Sequence, residues 1–512
     1  MKKQTLIVTC LIMAISLRYT VLGLCPIRCQ CNEERLVVIC DGAGLDVVPI
    51  TLNPDLRELH LSKNSIKGIM AAFSVYHNLE YLDMTNNQLV ALGRKNFQLQ
   101  EKLHILLLGH NMISSLHRST FDGLSGLQIL KIAGNFIREL PDGVFTELVS
   151  LEVLDLSENS IDTISRDAFM GLESLKILLL KDNKLGHVPT SSFSTISHVL
   201  SIDLGLNNFP ILPDNGFFNL VSLEKLKLDS CGIREIQRNA FKGLENLIYL
   251  LLQDNLLDSI PTKAFPYLKK LLELSIGQNN MKTIQSKSFE GLINMQTITI
   301  NSAPYLERIE SEAFVPNARL QHVILNHNKK LKYIDRNAFT SLTLLRSVSL
   351  RGNDFQTFIK ETLPWSDLER FDLRDNPLTC NCSLSWLLHQ LQTRNYSDAF
   401  DVDFTHIRCE NPPVLRDLTL KGLTIDDLGC HEHQTQKILT WTFAAIGVLL
   451  VATLVVVLWY RQRFANDLKI KCNTSIPESH RYRLDNHLRG ASSPEQEWVV
   501  KIGRDPFPGR LV

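Results

Sequence analysis

What this chain of 512 residues lacks is a surplus of charge, since 54 Lys and Arg face 54 Asp and Glu for a formal net charge of zero. Nucleic acid is bound largely through an excess of Lys and Arg gathered on one face. The even balance therefore gives no support for such a partner. Catalytic signatures are missing as well: no G-x-S-x-G, H-E-x-x-H or G-x-x-x-x-G-K-[ST] stretch occurs. His104, His110, His117 and His198 fall at unrelated places with no fixed Asp or Ser beside them. The chain is expected to be no enzyme, and to carry neither cofactor nor metal.

Two long apolar runs stand near the ends. The first, Leu6 to Leu17, follows Lys2 and Lys3 and precedes small residues near Gly23, the layout of a secretory signal peptide over residues 1–23. The second, Ile438 to Tyr460, has 23 residues without a charge. At about 1.5 Å per residue it crosses a hydrocarbon core of about 30 Å. Arg461 and Arg463 follow at once, and Trp441, Trp459 and Tyr460 mark the boundaries. Basic residues stay on the cytoplasmic side. A single-pass type I protein of the plasma membrane is expected, with an extracellular N-terminus, a juxtamembrane linker at 431–437 and a cytoplasmic tail at 461–512. That tail holds ten Lys or Arg and six Asp or Glu without apolar periodicity, and is expected to be disordered.

Between the runs one sentence is written again and again. The template L-x-x-L-x-L-x-x-N-x-L places Asn at 64, 87, 111, 135, 159, 183, 207, 255, 279, 328, 353 and 376, with Cys231 and Ala303 filling two further places. The thirteen intervals are 23, 24 or 25 residues, so residues 55–378 hold about 14 repeats. In LEVLDLSEN, Leu154 and Leu156 alternate with Val153, Asp155 and Ser157, so a short strand sends its leucines inward and the others to an exposed face. The amide of Asn159 is placed to hydrogen-bond backbone groups of neighbouring turns. Cys231 reads as a buried thiol in the same position. One Phe per repeat, from Phe97 to Phe339, packs the other half of the coil. Ala303, and one extra residue after Asn328, break the template, and the insertion is expected to bulge a turn at the sheet edge.

These 24-residue units resemble the extracellular leucine-rich repeats of Toll-like receptors, Slit-type proteins and neuronal adhesion proteins. The resemblance implies an α/β repeat solenoid, a leucine-rich repeat horseshoe with disulfide caps at both ends. Four cysteines stand at each end: Cys25, Cys29, Cys31 and Cys40 in 24–54, and Cys380, Cys382, Cys409 and Cys430 in 379–430. Their spacing alone allows three pairings per cluster. The resemblance implies Cys25 with Cys31, Cys29 with Cys40, Cys380 with Cys409, and Cys382 with Cys430. Glycosylation sequons occur at Asn381 and Asn395, outside the repeats.

Binding is expected on the open face. Tyr81, Ile105, Ile129, Val153 and Ile177 at the third template position, with Leu107 and Leu179 at the fifth, form an apolar strip over five turns. Strand propensity competes with ligand binding as its explanation. Further along, Lys225, Lys227, His322, Arg351, Arg370 and Arg374 make the face more basic, diluted by Asp229, Glu273 and Asp372. The expected function is a cell-surface receptor or co-receptor for a protein ligand or another cell-surface protein. The rival expectations are a homophilic or heterophilic cell-adhesion protein, pairing as a homodimer, and a decoy or accessory protein of innate immune recognition without a TIR domain, for which the tail has no room.

Overall fold

A computed structural model describes residues 24–393, 406–430 and 432–472. The expected signal peptide, Asn395 and the tail from residue 473 onward lie outside the described residues. Two units are present, one ending at Cys430 and one beginning at His431.

The first unit is a solenoid whose three-residue strands stack into one sheet of sixteen. Each turn carries the chain once round the coil and returns it in the same direction, so neighbouring strands are parallel and offset by one repeat: Val153 lies opposite Ile129 on one side and Ile177 on the other. The exception is the first hairpin, where Gln30–Asn32 runs antiparallel to Val37–Ile39. Parallel sheets are ordinarily covered on both faces. Here the middle residue of the repeat strands, most often Leu, is buried while its neighbours mostly stay partly exposed, as in Ile105–Leu107, so one face is left open.

The opposite wall is made of turns and short 3-10 segments such as Ser192–Thr195 and Thr262–Tyr267. Its phenylalanines stack from turn to turn, with ring centroids 5.8 Å apart for Phe121 and Phe145 and 6.4 Å for Phe145 and Phe169. Offset-stacked aromatic pairs at this spacing add packing energy beyond the area they bury.

The ladder of asparagines joins the turns. The Nδ2 of Asn159 donates to the carbonyls of Ile132 (3.1 Å), Leu156 (3.1 Å) and Ser157 (3.0 Å), and its Oδ1 accepts from the Ile137 N–H at 3.1 Å. Just before each ladder residue the chain turns through left-handed backbone, from Lys63 (φ 55°) to Asp375 (φ 57°). Glycine takes that place only at Gly134 and Gly352 among the described turns; elsewhere closure of the coil outweighs the usual penalty of about 1–2 kcal/mol for an L-residue there.

At Cys231 the bonding is redistributed. The thiol reaches the Leu204 carbonyl at 3.2 Å, and the Phe209 N–H, which a ladder amide would accept, bonds instead to the carbonyl of Cys231 at 2.8 Å. Burial, ahead of the lesser push from Asp229 and Asp203, raises its pKa to about 12. The reactive thiolate is therefore scarce at any pH below that value. In a Cys472→Ser background the folded protein is expected to resist maleimide labelling at pH 8.5 and to react within minutes once unfolded. Rapid labelling of the native state would show that the thiol is accessible.

The two irregular turns keep the sheet register intact, with Thr297 opposite His322 and His322 opposite Ser347. Their extra residues are absorbed outside the sheet, in tight corners closed by Leu306 N–H to the Ala303 carbonyl and Leu331 N–H to the Asn328 carbonyl. Lys330 of one corner lies 4.9 Å over the Tyr305 ring of the other.

Both ends are closed. Disulfides join Cys25 to Cys31 and Cys29 to Cys40 at the first hairpin, and Cys380 to Cys409 and Cys382 to Cys430 beyond the last turn. The helix Ser385–Thr393 lays Leu387, Leu388 and Leu391 over the final turn, where Trp365 packs against Phe371 and Trp386 at 5.5 and 5.2 Å.

The second unit is one helix, Glu432–Cys472. Over Lys437–Ala465 its mean hydropathy reaches 2.6 with none of that window buried. A helix that is apolar all round and unburied is matched to a bilayer, and this one is long and apolar enough to cross it.

Candidate ligand-binding face

Strand alternation sets which side chains reach the open face. Tyr81, Ile105, Ile129, Val153 and Ile177 lie side by side in adjacent strands, each in register with the next. Leu107 flanks the row opposite Asp83 and Lys131, and Leu179 flanks it between Asp155 and Asp203. All seven residues are partly exposed, Ile177 most at 36%. The structure thus brings the expected strip together as one surface. At its start the His60 ring stands 4.7 Å from that of Tyr81. The Tyr81 hydroxyl has its pKa raised by burial and by the carboxylates of Asp83, Asp41 and Glu58.

The strip ends at an ion pair. Lys227 Nζ meets Asp203 Oδ2 at 2.7 Å across adjacent strands, with the Asp203 side chain only 6% exposed. Lys225 leans over the Tyr249 ring at 5.9 Å. Arg351 pairs with Asp375 and Arg374 with Asp372, both at 2.6 Å. Much of the basic character read from the second half of the face is therefore neutralised within the molecule. Of the three carboxylates that do this, Asp372 is among the anions expected to dilute the face, and Asp203 and Asp375 are not. Arg351, Arg374, His406 and Arg408 also line a cleft of about 530 Å³ against the C-terminal cap, shared with Asp375, Glu410 and Asp417. Among the described residues no group of three or more His, Cys, Asp or Glu is placed to hold a metal ion. Asn381 caps the short segment Cys382–Leu384 by accepting from the Ser383 N–H.

Of the exposed apolar residues outside the strip, two fall at the same corner of adjacent turns. Met112 (49% exposed) and Phe136 (58%) follow the ladder residues Asn111 and Asn135 round the corner of the coil. A position-by-position reading of the corner would have found them, because most turns place a polar or small residue there, as Ser65, Gln88, Ser160 and Lys184 do.

Comparison with known proteins fixes the family. The Leucine rich repeat family matches residues 77–137, 125–185, 173–233 and 222–265, and the BspA type Leucine rich repeat region matches 258–379. Together they run unbroken over more than half of the chain. The chain is a leucine-rich repeat protein. Oligodendrocyte-myelin glycoprotein of Mus musculus is 33% identical to it over 84 residues, 16% of this chain and 19% of that protein, so the match spans about a fifth of the relative's length. Among solved structures, a TLR13–ssRNA13 complex gives a TM-score of 0.53 at 22% identity over 70% of this chain and 59% of the other. The Toll–Spätzle complex of Drosophila gives 0.52 at 21% identity over 74% and 59%. At such identities the likeness is one of fold. The terminal disulfides and the apolar helix mark this leucine-rich repeat protein as membrane-anchored and extracellular.

Proposed function

We propose that this leucine-rich repeat protein is a type I cell-surface receptor or co-receptor that binds a protein ligand through the strip from Tyr81 to Leu179. The observation that carries this reading is the open apolar row itself: five register-matched side chains on the uncovered face of a parallel sheet. Exposed apolar area of that kind is commonly a contact surface. The Toll–Spätzle and TLR13–ssRNA13 complexes are both instances of this fold with a bound partner. The described span and the basic residues after it support an extracellular N-terminus.

Changing Leu107 and Leu179 together to Glu tests the reading. Both side chains point away from the core, so stability should change by about 1 kcal/mol or less. A charge desolvated within an interface costs several kcal/mol. Extracellular proximity labelling of cells bearing the full chain is expected to lose its protein neighbours in the double variant at equal surface expression. Thr299→Glu with Ser349→Glu, at the same strand position on two turns further along, serves as the control. Identical neighbours in wild type and the Leu107/Leu179 variant would end the proposal; aggregation of the bearing cells with one another would favour adhesion instead.

A further inference from the structure

The residue after each ladder position lies outside the strands of the large sheet, so neither strand propensity nor core packing accounts for Met112 and Phe136 at successive corners. Their backbones sit on equivalent bonds, Met112 N–H to the Leu89 carbonyl (2.9 Å) and Phe136 N–H to the Ile113 carbonyl (2.8 Å). The coil repeats from one to the other and leaves both side chains outside. Leu256 holds the same place further along, but Met112 and Phe136 fall on adjacent turns, and clustered exposed apolar side chains of this kind mark contact surfaces.

The same two turns carry Ile105, Leu107 and Ile129 of the strip, and the corner between the two sets is low. Gly109 and Ala133 occupy it, and Gly134, with φ +69°, has no Cβ where the His110 ring lies across it. The open face and Phe136 are thus separated only by this low corner, on which the exposed His110 and Lys131 side chains stand.

Carboxylates bracket this belt. Asp83 stands on the turn before it, and Asp155 and Glu158 on the turn after. Ion pairs bind the neighbouring Glu80 to Arg57 and Glu152 to Lys176, whereas Asp83, Asp155 and Glu158 have no Lys or Arg partner among the described residues. Lys131, which lies opposite Asp155 in the sheet, and Arg138 belong to the turn of Phe136 and sit between the acidic flanks. Asp41 and Glu58 stand near Asp83 on the first flank, close enough to Tyr81 to add to the rise that burial gives its hydroxyl.

We propose that the belt from Leu107 round the corner to Met112 and Phe136 anchors a polypeptide segment with aromatic or apolar side chains at its centre and Lys or Arg at its ends. The proposal deepens the reading of the strip as a contact face and rests on it. The apolar centre of such a segment covers Phe136, and its ends meet the carboxylates of the two flanking turns, which give register and on-rate.

Two synthetic peptides test this on the full chain in lipid nanodiscs: one with an aromatic centre flanked by lysines, the other with the same centre flanked by glutamates. The lysine peptide is expected to bind about tenfold or more tightly than the glutamate peptide, with a preference that shrinks in high salt. Phe136→Ser with Met112→Ser should weaken it by a further factor of about ten at unchanged melting temperature, since both side chains are exposed. Asp155→Lys with Glu158→Lys should narrow or reverse the preference. Equal binding of both peptides, or indifference to the Phe136/Met112 change, overturns the proposal. If sedimentation instead shows a dimer of the full chain that Phe136→Ser disperses, while neither peptide binds, the occupant is a second copy and the proposal is likewise overturned. Loss of labelled neighbours in the Leu107/Leu179 variant but not in the Phe136/Met112 variant would overturn the belt while leaving the receptor reading in place.

Discussion

Cys409→Ser is expected to keep the protein off the cell surface. Cys409 is bonded to Cys380 across 29 positions of sequence, and the strand Cys409–Asn411 it begins pairs with Leu378–Thr379. Together they hold the C-terminal cap, with Leu384, Leu387, Leu388 and Leu391, over the last turn. An uncapped solenoid presents its core leucines to water. Loss of a native disulfide typically costs about 2–5 kcal/mol, and here the loss falls at an end, where unfolding needs to break contacts on one side only. Surface staining with limited proteolysis checks it. A variant displayed at wild-type level with unchanged protease resistance would show that packing alone holds the cap.

Asn159→Leu should lower stability by about 2 kcal/mol, and the bonding says why the figure is neither smaller nor larger. Three carbonyls that Asn159 serves keep other donors: Ile132 has Asn135 Nδ2, Leu156 has Asn183 Nδ2, and Ser157 has the Gly134 N–H. The Ile137 N–H, bonded to Asn159 Oδ1, is the group left buried and unpaired. The ladder is redundant for acceptors and singular for donors. Its loss should appear as a lower melting temperature and as faster hydrogen exchange at Ile137, with turns several repeats away unaffected. Exchange at Ile137 as slow as in the wild type would mean that the amide finds another acceptor.

That asymmetry explains what could be read from the chain alone. The 24-residue period announced the coil, because each turn must supply its own leucines, its Phe and its Asn, and identical demands produce identical spacing. Cys231 was legible as a ladder substitute, but not the means: the redirected Phe209 N–H depends on backbone geometry that side-chain patterns do not report. The strip was legible because strand alternation alone decides which of Ile105, Leu106 and Leu107 face outward. The pairing of Lys227 with Asp203 obeys the same rule, both standing at the fifth template position one repeat apart, and it escapes a list of cations that leaves out their neighbours in the adjacent repeat. Phe136 escaped for a third reason: it lies where the repeat asks for nothing, and a template draws attention only to the places it fills.

Because the bonds that close the coil span roughly one repeat, from 22 residues for Ile137 to Asn159 up to 28 for Asn353 to Leu325, time enters the behaviour of the molecule during synthesis. At about 5–20 residues per second a new turn is delivered every few seconds, far slower than the microseconds in which segments of that length meet. Each turn therefore has ample time to dock on its predecessor before the next arrives. The pairs within Cys25–Cys40 can close before any repeat is finished, whereas Cys430, partner of Cys382, arrives after them all. Throughout elongation the growing end is an exposed apolar surface that moves along the chain. The last few dozen residues decide how long it stays open to chaperones or to other chains.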